Sequence, residues 1–451
     1  MAQITAERFP AGRTETPRWM VEAPIDLTIL RSLLMIAAPV FAILTWQPDY
    51  ARTWVRNFSL PIVFIEVAIV LLAVSTRFHV RAAFGALSPI TRIAALSWLA
   101  VSAWASLVVA LPGQASWLLF VSSTTHAVFA FVLWWKLKTD WAGYADHILG
   151  AITIGIALYA AVVLILTLGV DDPEFDWVHL GPGVSHERQL AFYGLTGSGI
   201  AAGYLAFARK RGPALFWLCM LVVGCWLTIW AGGRAGFGAM IGALGLIVWL
   251  ARRGSKASLA FRFIAAIGAA IALSYAFVPH ERYGFDAIFD RTIASQAPER
   301  HTNGTAYQDR GLANEYTSGR ASMWAETVDH ISERPLLGHG EGQFRLQVYH
   351  AFSEFNHPHN APLQLLFQWG ILGTLAFVMM LWASLRSLFT RMGKLPRHAN
   401  VALGPLAGLG AMSLLEGSAY HVFPAMIMIV CLVIVTASQD DSDVGMPRER
   451  Q

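Results

Sequence analysis

Long apolar runs recur along almost the whole chain and constrain its fold more than any other feature. A helix needs about 20 mostly apolar residues to cross the hydrocarbon core of a bilayer. Only 14% of the 451 residues are charged, against about 25% in an average soluble domain. The sequence therefore predicts an all-α integral membrane protein with about twelve transmembrane helices, at residues 27–46, 58–75, 93–111, 115–135, 148–170, 189–208, 213–231, 235–251, 259–278, 362–385, 401–416 and 421–437.

The distribution of lysine and arginine indicates the direction of the spans. With the N-terminus in the cytoplasm, the cytoplasmic segments and adjoining span ends hold 22 of the 33 cationic residues. The short loops on the other side hold four, which are Arg52, Arg56, Arg188 and Arg234. Because cytoplasmic loops of membrane proteins are enriched in these residues, we expect both termini to be cytoplasmic.

One loop, residues 279–360, is long and falls on the non-cytoplasmic face. It divides the chain into a bundle of nine spans (1–278), the loop itself, three further spans (361–437) and a cytoplasmic tail (438–451). Within the loop, Arg320, Trp324, Val328 and Ile331 recur at the spacing of one helix face. Pro335 should end that helix, because the residue before a proline avoids the α conformation. A glycine-rich turn and a second short helix, near Phe344, are expected to follow.

The loop ends in His357-Pro358-His359-Asn360, immediately before the tenth span. Pro362 suits the first turn of that helix, because its missing N–H would have no partner there. The free N–H groups and the dipole of a helix N-terminus favour an anion. The residues therefore indicate an anion-binding position beside His359.

Several short motifs in this region resemble the O-antigen ligase and polymerase superfamily. They are Arg234 in a tight turn between two spans, Gly319-Arg320, Trp324, Arg334-Pro335-Leu336-Leu337-Gly338-His339-Gly340, His359-Asn360, and Gly370-Ile371-Leu372-Gly373, with Arg188 as a weaker match. The resemblance covers roughly residues 188–375. It departs from the family pattern at Gly194–Gly199, at Gln368, where the family often has an acidic residue, and at Ala361-Pro362, which leaves the subfamily open.

The resemblance implies an enzyme that transfers a glycan from an undecaprenyl-pyrophosphate carrier to an acceptor hydroxyl. It implies the bacterial inner membrane as the location, a periplasmic active site, and an inverting, metal-independent glycosyltransferase or ligase. The expected partners are this lipid-linked donor, a lipid or glycan acceptor and membrane lipids, with no nucleic acid and no cofactor. The sequence has no clear Asp-x-Asp pair in an external loop, and Asp171-Asp172 with Glu174 is the closest candidate for a metal site.

Arginines can stabilise the charge on a leaving pyrophosphate, because a guanidinium binds phosphate oxygens in pairs and stays charged. The resemblance favours Arg234 for this role over an arginine that merely reaches the membrane interface, and it adds Arg320. For Arg188 the interpretation without a role in binding is at least as strong as the functional one.

The resemblance also makes His359 the expected general base, since a histidine titrates near neutral pH. His357 is expected to assist or substitute for it, and Asn360 to orient a sugar or the histidine. Glu66, His126 and Glu416 are ionisable residues within or beside spans, and the sequence assigns no role to them.

The acceptor is left open by the sequence. A lipopolysaccharide-type ligase, a polysaccharide polymerase and a protein O-oligosaccharyltransferase share the donor and the signature. A transporter or lipid flippase is the alternative from another class, and a non-catalytic scaffold is a third. A transporter should show internal repeats and paired broken helices, of which the sequence gives little sign.

Overall fold

The computed structural model describes residues 60–76, 78–111, 116–169, 189–251, 255–278, 283–289, 320–348, 357–391 and 395–438. Every regular element in these ranges is helical. In chain order the helices are α1 (Leu60–Ser75), α2 (Val80–Ala86), α3 (Pro89–Trp104), α4 (Ser116–Lys138), α5 (Ala145–Gly169), α6 (Leu190–Phe207), α7 (Arg211–Trp230), α8 (Arg234–Leu250), α9 (Lys256–Phe277), α10 (Gly284–Phe289), α11 (Arg320–Glu333), α12 (Phe344–Gln347), α13 (Ala361–Arg391), α14 (Arg397–Ser413) and α15 (Val422–Ala437).

Each predicted apolar run from 58–75 onward overlaps one of these helices, and the run 27–46 lies outside the described residues. Seven of the described helices are long and apolar enough to cross a membrane. The pair α1 and α2, bent by 107°, would make an eighth, whereas α8 and α15 are apolar but shorter. The all-helical membrane fold is confirmed, and the twelve-span topology stays a prediction.

Helix α6 lies at the centre of the bundle and packs mainly against α7 and α14. It is the most buried of the seven long apolar helices, with 89% of its residues inside the protein. Its glycines make this possible, because a Cβ at Gly194 would collide with Thr228 of α7, and one at Gly199 with Pro405 of α14. Small residues let helices approach closely in membranes, so these glycines mark a packing surface.

Polar contacts join the helix ends in two groups. At one end of the bundle Arg397, at the start of α14, donates to Asp146, at the start of α5, over 2.6 Å. At the other end Gln189, just before α6, lies 3.4 Å from His421, just before α15. Helices that alternate in direction produce this grouping. The second end also holds His357, whose ring lies 5.2 Å from that of His421 between centroids.

Helix α13 is broken at Gly370, which has φ 60° and ψ −169°. The break leaves backbone N–H and carbonyl groups of α13 without partners in the helix, and the turn 335–340 forms hydrogen bonds with them. Ile371 and Leu372 donate to the carbonyls of Pro335 and Leu336, and the N–H groups of His339 and Gly340 donate to Phe367 and Gln368. A side chain at Gly370 would collide with the Leu336 carbonyl. The proline-leucine-leucine-glycine motif and the glycine-rich segment of α13 therefore form one interlocked unit.

The predicted helix with Arg320 and Trp324 is observed as α11, and it ends before Pro335 as expected. Met323 and Thr327 are buried, and Met323 packs in a small core with Phe344 and Phe367, whereas Val328 is 47% exposed. Trp324 and Ile331 are partly buried and pack against the same small core.

Candidate functional site

The segment His357-Pro358-His359-Asn360, here called the histidine loop, leads into α13. Asn360 caps this helix, because its side-chain oxygen accepts a hydrogen bond from the N–H of Leu363 at 3.0 Å. Its side-chain nitrogen donates to the carbonyl of Leu414, just after α14, at 3.0 Å. Asn360 therefore fixes the histidine loop to both helices.

His359 has a backbone that L-amino acids rarely adopt. Its φ is 52°, and among the residues that the structure describes it is the one non-glycine residue with a positive φ. Such a conformation costs free energy and persists where the surrounding contacts hold it. Here the N–H of His359 donates to Nδ1 of His357 over 3.2 Å. Backbone strain concentrates at functional sites, so this observation favours a functional role for His359.

Glu416 joins two of the predicted site residues. Its carboxylate accepts a hydrogen bond from Nη2 of Arg320 at 2.9 Å, and its second oxygen lies 3.8 Å from Nδ1 of His359. Arg320 also donates through Nη1 to the carbonyl of Leu415 at 2.8 Å. All three side chains of this triad are less than 20% exposed. The carboxylate can stabilise a proton on His359 while Arg320 balances its charge.

His357 lies behind His359 and is buried. Its ring lies 4.2 Å from the ring of His359 and 4.5 Å from that of Tyr420, measured between centroids. Burial, together with the charges of His359, His421 and Arg320, holds the pKa of His357 well below its usual value. His357 is therefore neutral at pH 7. Because its Nδ1 accepts the His359 N–H, its ring proton belongs on Nε2.

Trp324 supports the histidine loop from α11. Its indole N–H donates to the carbonyl of Pro358 at 2.8 Å. Gly417 supports it from the other side: it has φ 63°, and a Cβ there would collide with the His357 ring. His339 has a structural role, since its ring stacks on Phe367 and its Nε2 bonds the carbonyl of His330.

Arg234 begins α8 at the same end of the bundle as Glu416. Two residues later, Gly236 packs close to Met412 at the C-terminal end of α14, and the N–H of Glu416 bonds the carbonyl of Met412. The Arg234 side chain is exposed. The structure thus gathers the elements that carry Arg234, Arg320, His357, His359 and Asn360 at one end of the bundle.

Some predicted positions are outside the described residues. Arg188 is one of them, although its neighbour Gln189 reaches His421 at this end of the bundle. Asp171, Asp172 and Glu174 are others. The described part of the chain contains no group of three or more His, Cys, Asp or Glu residues arranged to hold a metal ion.

Sequence reasoning did not assign Glu416, because its partner Arg320 is 96 residues away in the chain. It also left Glu66 without a partner, whereas the structure places its carboxylate 2.7 Å from Nδ1 of His126 on α4. A signal for Glu416 was nonetheless present. An acidic residue followed by a glycine and a histidine occupies the short turn between the last two predicted spans.

Residues 219–378 match the family whose description is O-antigen ligase. This segment includes Arg234, Arg320, the histidine loop and the break in α13 at Gly370, whereas Glu416 lies beyond it. No curated protein matches the chain. The match confirms the predicted resemblance over these residues. The family suggests glycan transfer in polysaccharide assembly and implies a glycosyltransferase- or ligase-type enzyme.

Proposed function

We propose that the protein transfers a glycan from an undecaprenyl-pyrophosphate carrier to an acceptor hydroxyl, in the manner of an O-antigen ligase. The observation that carries this proposal is the triad of His359, Glu416 and Arg320 at the start of α13. The matched family supplies the class of reaction, and the triad supplies the groups that the reaction needs.

In the proposed step the acceptor oxygen forms a bond to the anomeric carbon while the bond from that carbon to the pyrophosphate oxygen breaks. The acceptor O–H proton passes to His359. Its Nδ1 faces Glu416, so Nε2 is the nitrogen that takes the proton. Glu416 then stabilises the imidazolium, as a carboxylate does for a catalytic histidine in other hydrolases and transferases. Attack from the face opposite the leaving pyrophosphate would make the proposed displacement inverting.

Arg234 is the proposed ligand of the leaving pyrophosphate. Its place at the N-terminus of α8, in a turn fixed by two helices, restricts the guanidinium to one region. A positioned cation stabilises charge that develops on a leaving group, and such electrostatic stabilisation usually accounts for much of an enzyme's rate enhancement. This charge is the reason that we propose a metal-independent reaction.

Arg320 has a second proposed role. Its two terminal nitrogens are engaged by Glu416 and Leu415. A pyrophosphate that approached Arg320 would compete with Glu416 for the guanidinium, which would raise the basicity of the carboxylate next to His359. Arg188 is proposed to contact the same donor, His357 to hold His359, and Asn360 to hold the loop against α14.

The proposed setting is the bacterial inner membrane, with cytoplasmic termini and the histidine loop on the periplasmic face. The acceptor is a lipid A-core or a related surface glycan. A polysaccharide polymerase or a protein O-oligosaccharyltransferase would use the same triad on another acceptor hydroxyl.

The proposal is tested by glycan transfer from a purified undecaprenyl-pyrophosphate-linked donor. His359→Ala is expected to lower the rate by at least about 100-fold, the usual contribution of a general base. His330→Ala is the matched control, because His330 is a partly exposed histidine of α11 outside the triad. Equal rates for His359→Ala and the parent, in well-folded protein, would contradict the role of His359.

The same assay tests Arg234 and the metal. Arg234→Ala is expected to slow transfer strongly, whereas Arg211→Ala, at the opposite end of α7, should leave it unchanged. A chelator should have no effect on the parent. Loss of activity with chelator, restored by a divalent cation, would overturn the metal-independent proposal.

A further inference from the structure

A cavity of about 120 Å³ lies directly behind the histidine loop. Helices α4, α13 and α15 form its walls, and the turn before α15 closes it. His357 lines this cavity, whereas His359 does not. The polar part of the lining includes Ser123, His126, Glu341, His357, Gln364 and Tyr420.

The side chain of Gln364 indicates that this cavity holds a polar ligand. Its side chain is 4% exposed, and neither its amide oxygen nor its amide nitrogen has a hydrogen-bond partner. A buried amide needs both a donor and an acceptor. The cavity volume is several times the roughly 10–15 Å³ that one water needs when volume is measured in this way. Buried water typically occupies such spaces where polar groups lack another hydrogen-bond partner.

Glu341 also lines this cavity. It is 3% exposed, and its carboxylate accepts hydrogen bonds from Ser123 at 2.7 Å and from the Trp369 indole at 3.3 Å. Burial raises the pKa of this carboxyl to about 7, against the smaller lowering effect of those two bonds and of His126. No cation forms an ion pair with it among the described residues.

The other titratable groups on this cavity are two histidines and a tyrosine. His126 comes from α4, and its Nδ1 is held by Glu66 of α1, so Nε2 is the nitrogen that can meet water. His357 comes from the histidine loop and carries its proton on Nε2. Tyr420 comes from the turn before α15, and its ring packs against that of His357. Helices α13 and α15 contribute no titratable side chain to the described lining.

We propose that the cavity holds water that links Glu341 to the Nε2–H of His357, and that Glu341 is thereby a positioning residue for His359. The carboxylate accepts a hydrogen bond through water from His357. This fixes the His357 tautomer whose Nδ1 holds the N–H of the strained His359 backbone. A protonated Glu341 keeps an acceptor oxygen but loses its negative charge, so its support for that tautomer is weaker. The inference rests on the proposed function, because its readout is the action of His359.

The test compares Glu341→Gln, Glu341→Asp and Gln364→Leu with the parent in the glycan-transfer assay as a function of pH. Thr374→Val is the matched control, because it removes another buried unpartnered hydrogen-bonding group of α13, outside the cavity. The parent should gain activity as the pH rises through about 7. Glu341→Gln should show a smaller rise, because only the contribution of the general base remains. It should be roughly tenfold slower at high pH, less than the loss of about 100-fold or more from a missing general base.

Glu341→Asp should keep the rise at a shifted pH, since it keeps a carboxylate. Gln364→Leu should move it to higher pH, because a drier cavity disfavours the charged form. Thr374→Val should match the parent. Infrared spectroscopy gives a readout without turnover: a protonated carboxyl band should titrate near pH 7 in the parent and be missing in Glu341→Gln.

The two proposals fail in different ways. If the parent transfers glycan and Glu341→Gln keeps the same rise with pH, or if the infrared band does not titrate, the role of Glu341 is overturned alone. If the parent transfers no glycan, the proposed function is overturned, and the coupling to catalysis falls with it.

Discussion

Helices α6 and α13 both contain several glycines, and they use them in opposite ways. In α6 the glycines keep helical angles, and the missing Cβ lets α7 and α14 approach. In α13 the important property is the backbone of Gly370, whose angles interrupt the helix and offer free N–H and carbonyl groups to the turn 335–340. Glycine thus builds the core in one helix and the region around the candidate site in the other.

The largest effect is expected from Gly370→Ala. The new Cβ would collide with the Leu336 carbonyl, and φ of 60° with ψ of −169° is accessible almost only to glycine. Strain of about 1–3 kcal/mol, added to weakened hydrogen bonds of about 1 kcal/mol each, should lower the free energy of unfolding by at least about 3 kcal/mol. Thermal unfolding in detergent and glycan transfer measure the two consequences.

Gly268→Ala is the control for this change. Gly268 lies inside α9, and a Cβ there meets nothing within 4 Å, so stability should stay equal or rise slightly. If Gly370→Ala were as stable and active as Gly268→Ala, the break in α13 would have no structural role. The proposed difference between the glycines of α6 and α13 would then be wrong.

Gly199→Ala tests the other half of the comparison. Its Cβ would collide with the backbone of Pro405, so α6 and α14 must move apart. Overpacking of this kind costs about 1–3 kcal/mol. We expect a lower melting temperature but an unchanged transfer rate per folded molecule, because the triad lies at the end of the bundle. A selective loss of transfer at full stability would show that α6 acts on the site directly.

Much of this fold follows from the sequence, because apolar length is a local property. The helices that match the predicted runs, the end of α11 before Pro335 and the start of α13 after His359 all depend on neighbouring residues. The glycines of α6 were harder to interpret. They lower helix propensity, whereas in the structure they belong to the most buried of the long apolar helices described.

In the candidate site, too, some residues could be predicted from local sequence and others could not. The positions of His359, Asn360 and Arg320 came from short motifs. Their partners did not, because Glu416 lies 96 residues from Arg320, and Ser123 lies 218 residues from Glu341. No local pattern encodes such pairs. They exist because segments that are far apart in the chain meet in the folded protein, which depends on tertiary structure.

Glu416→Gln removes the negative charge beside His359 and keeps the shape of the side chain. Transfer should fall at least about tenfold, or ~1.4 kcal/mol in the activation free energy, because the imidazolium loses its stabilising charge. Glu333→Gln is the control, since Glu333 is an exposed carboxylate of α11 that pairs with His330 on the same helix. The rate constant kcat, rather than KM for the donor, should carry the change. An effect confined to KM would instead place Glu416 in donor binding through Arg320.

Trp324→Phe should produce the smallest change. It removes the indole N–H that bonds the Pro358 carbonyl but keeps most of the apolar contact with the core around Met323. One hydrogen bond of this kind contributes about 0.5–1.5 kcal/mol. Because the bond holds the histidine loop and not the bundle, the loss should appear as a several-fold lower transfer rate with a nearly unchanged melting temperature. Trp382→Phe, at an exposed position on the other half of α13, is the control. If both variants lost stability equally and neither lost activity, α11 would stabilise the fold without supporting the histidine loop. It would then belong with α6, which builds the core, and not with α13, which shapes the candidate site.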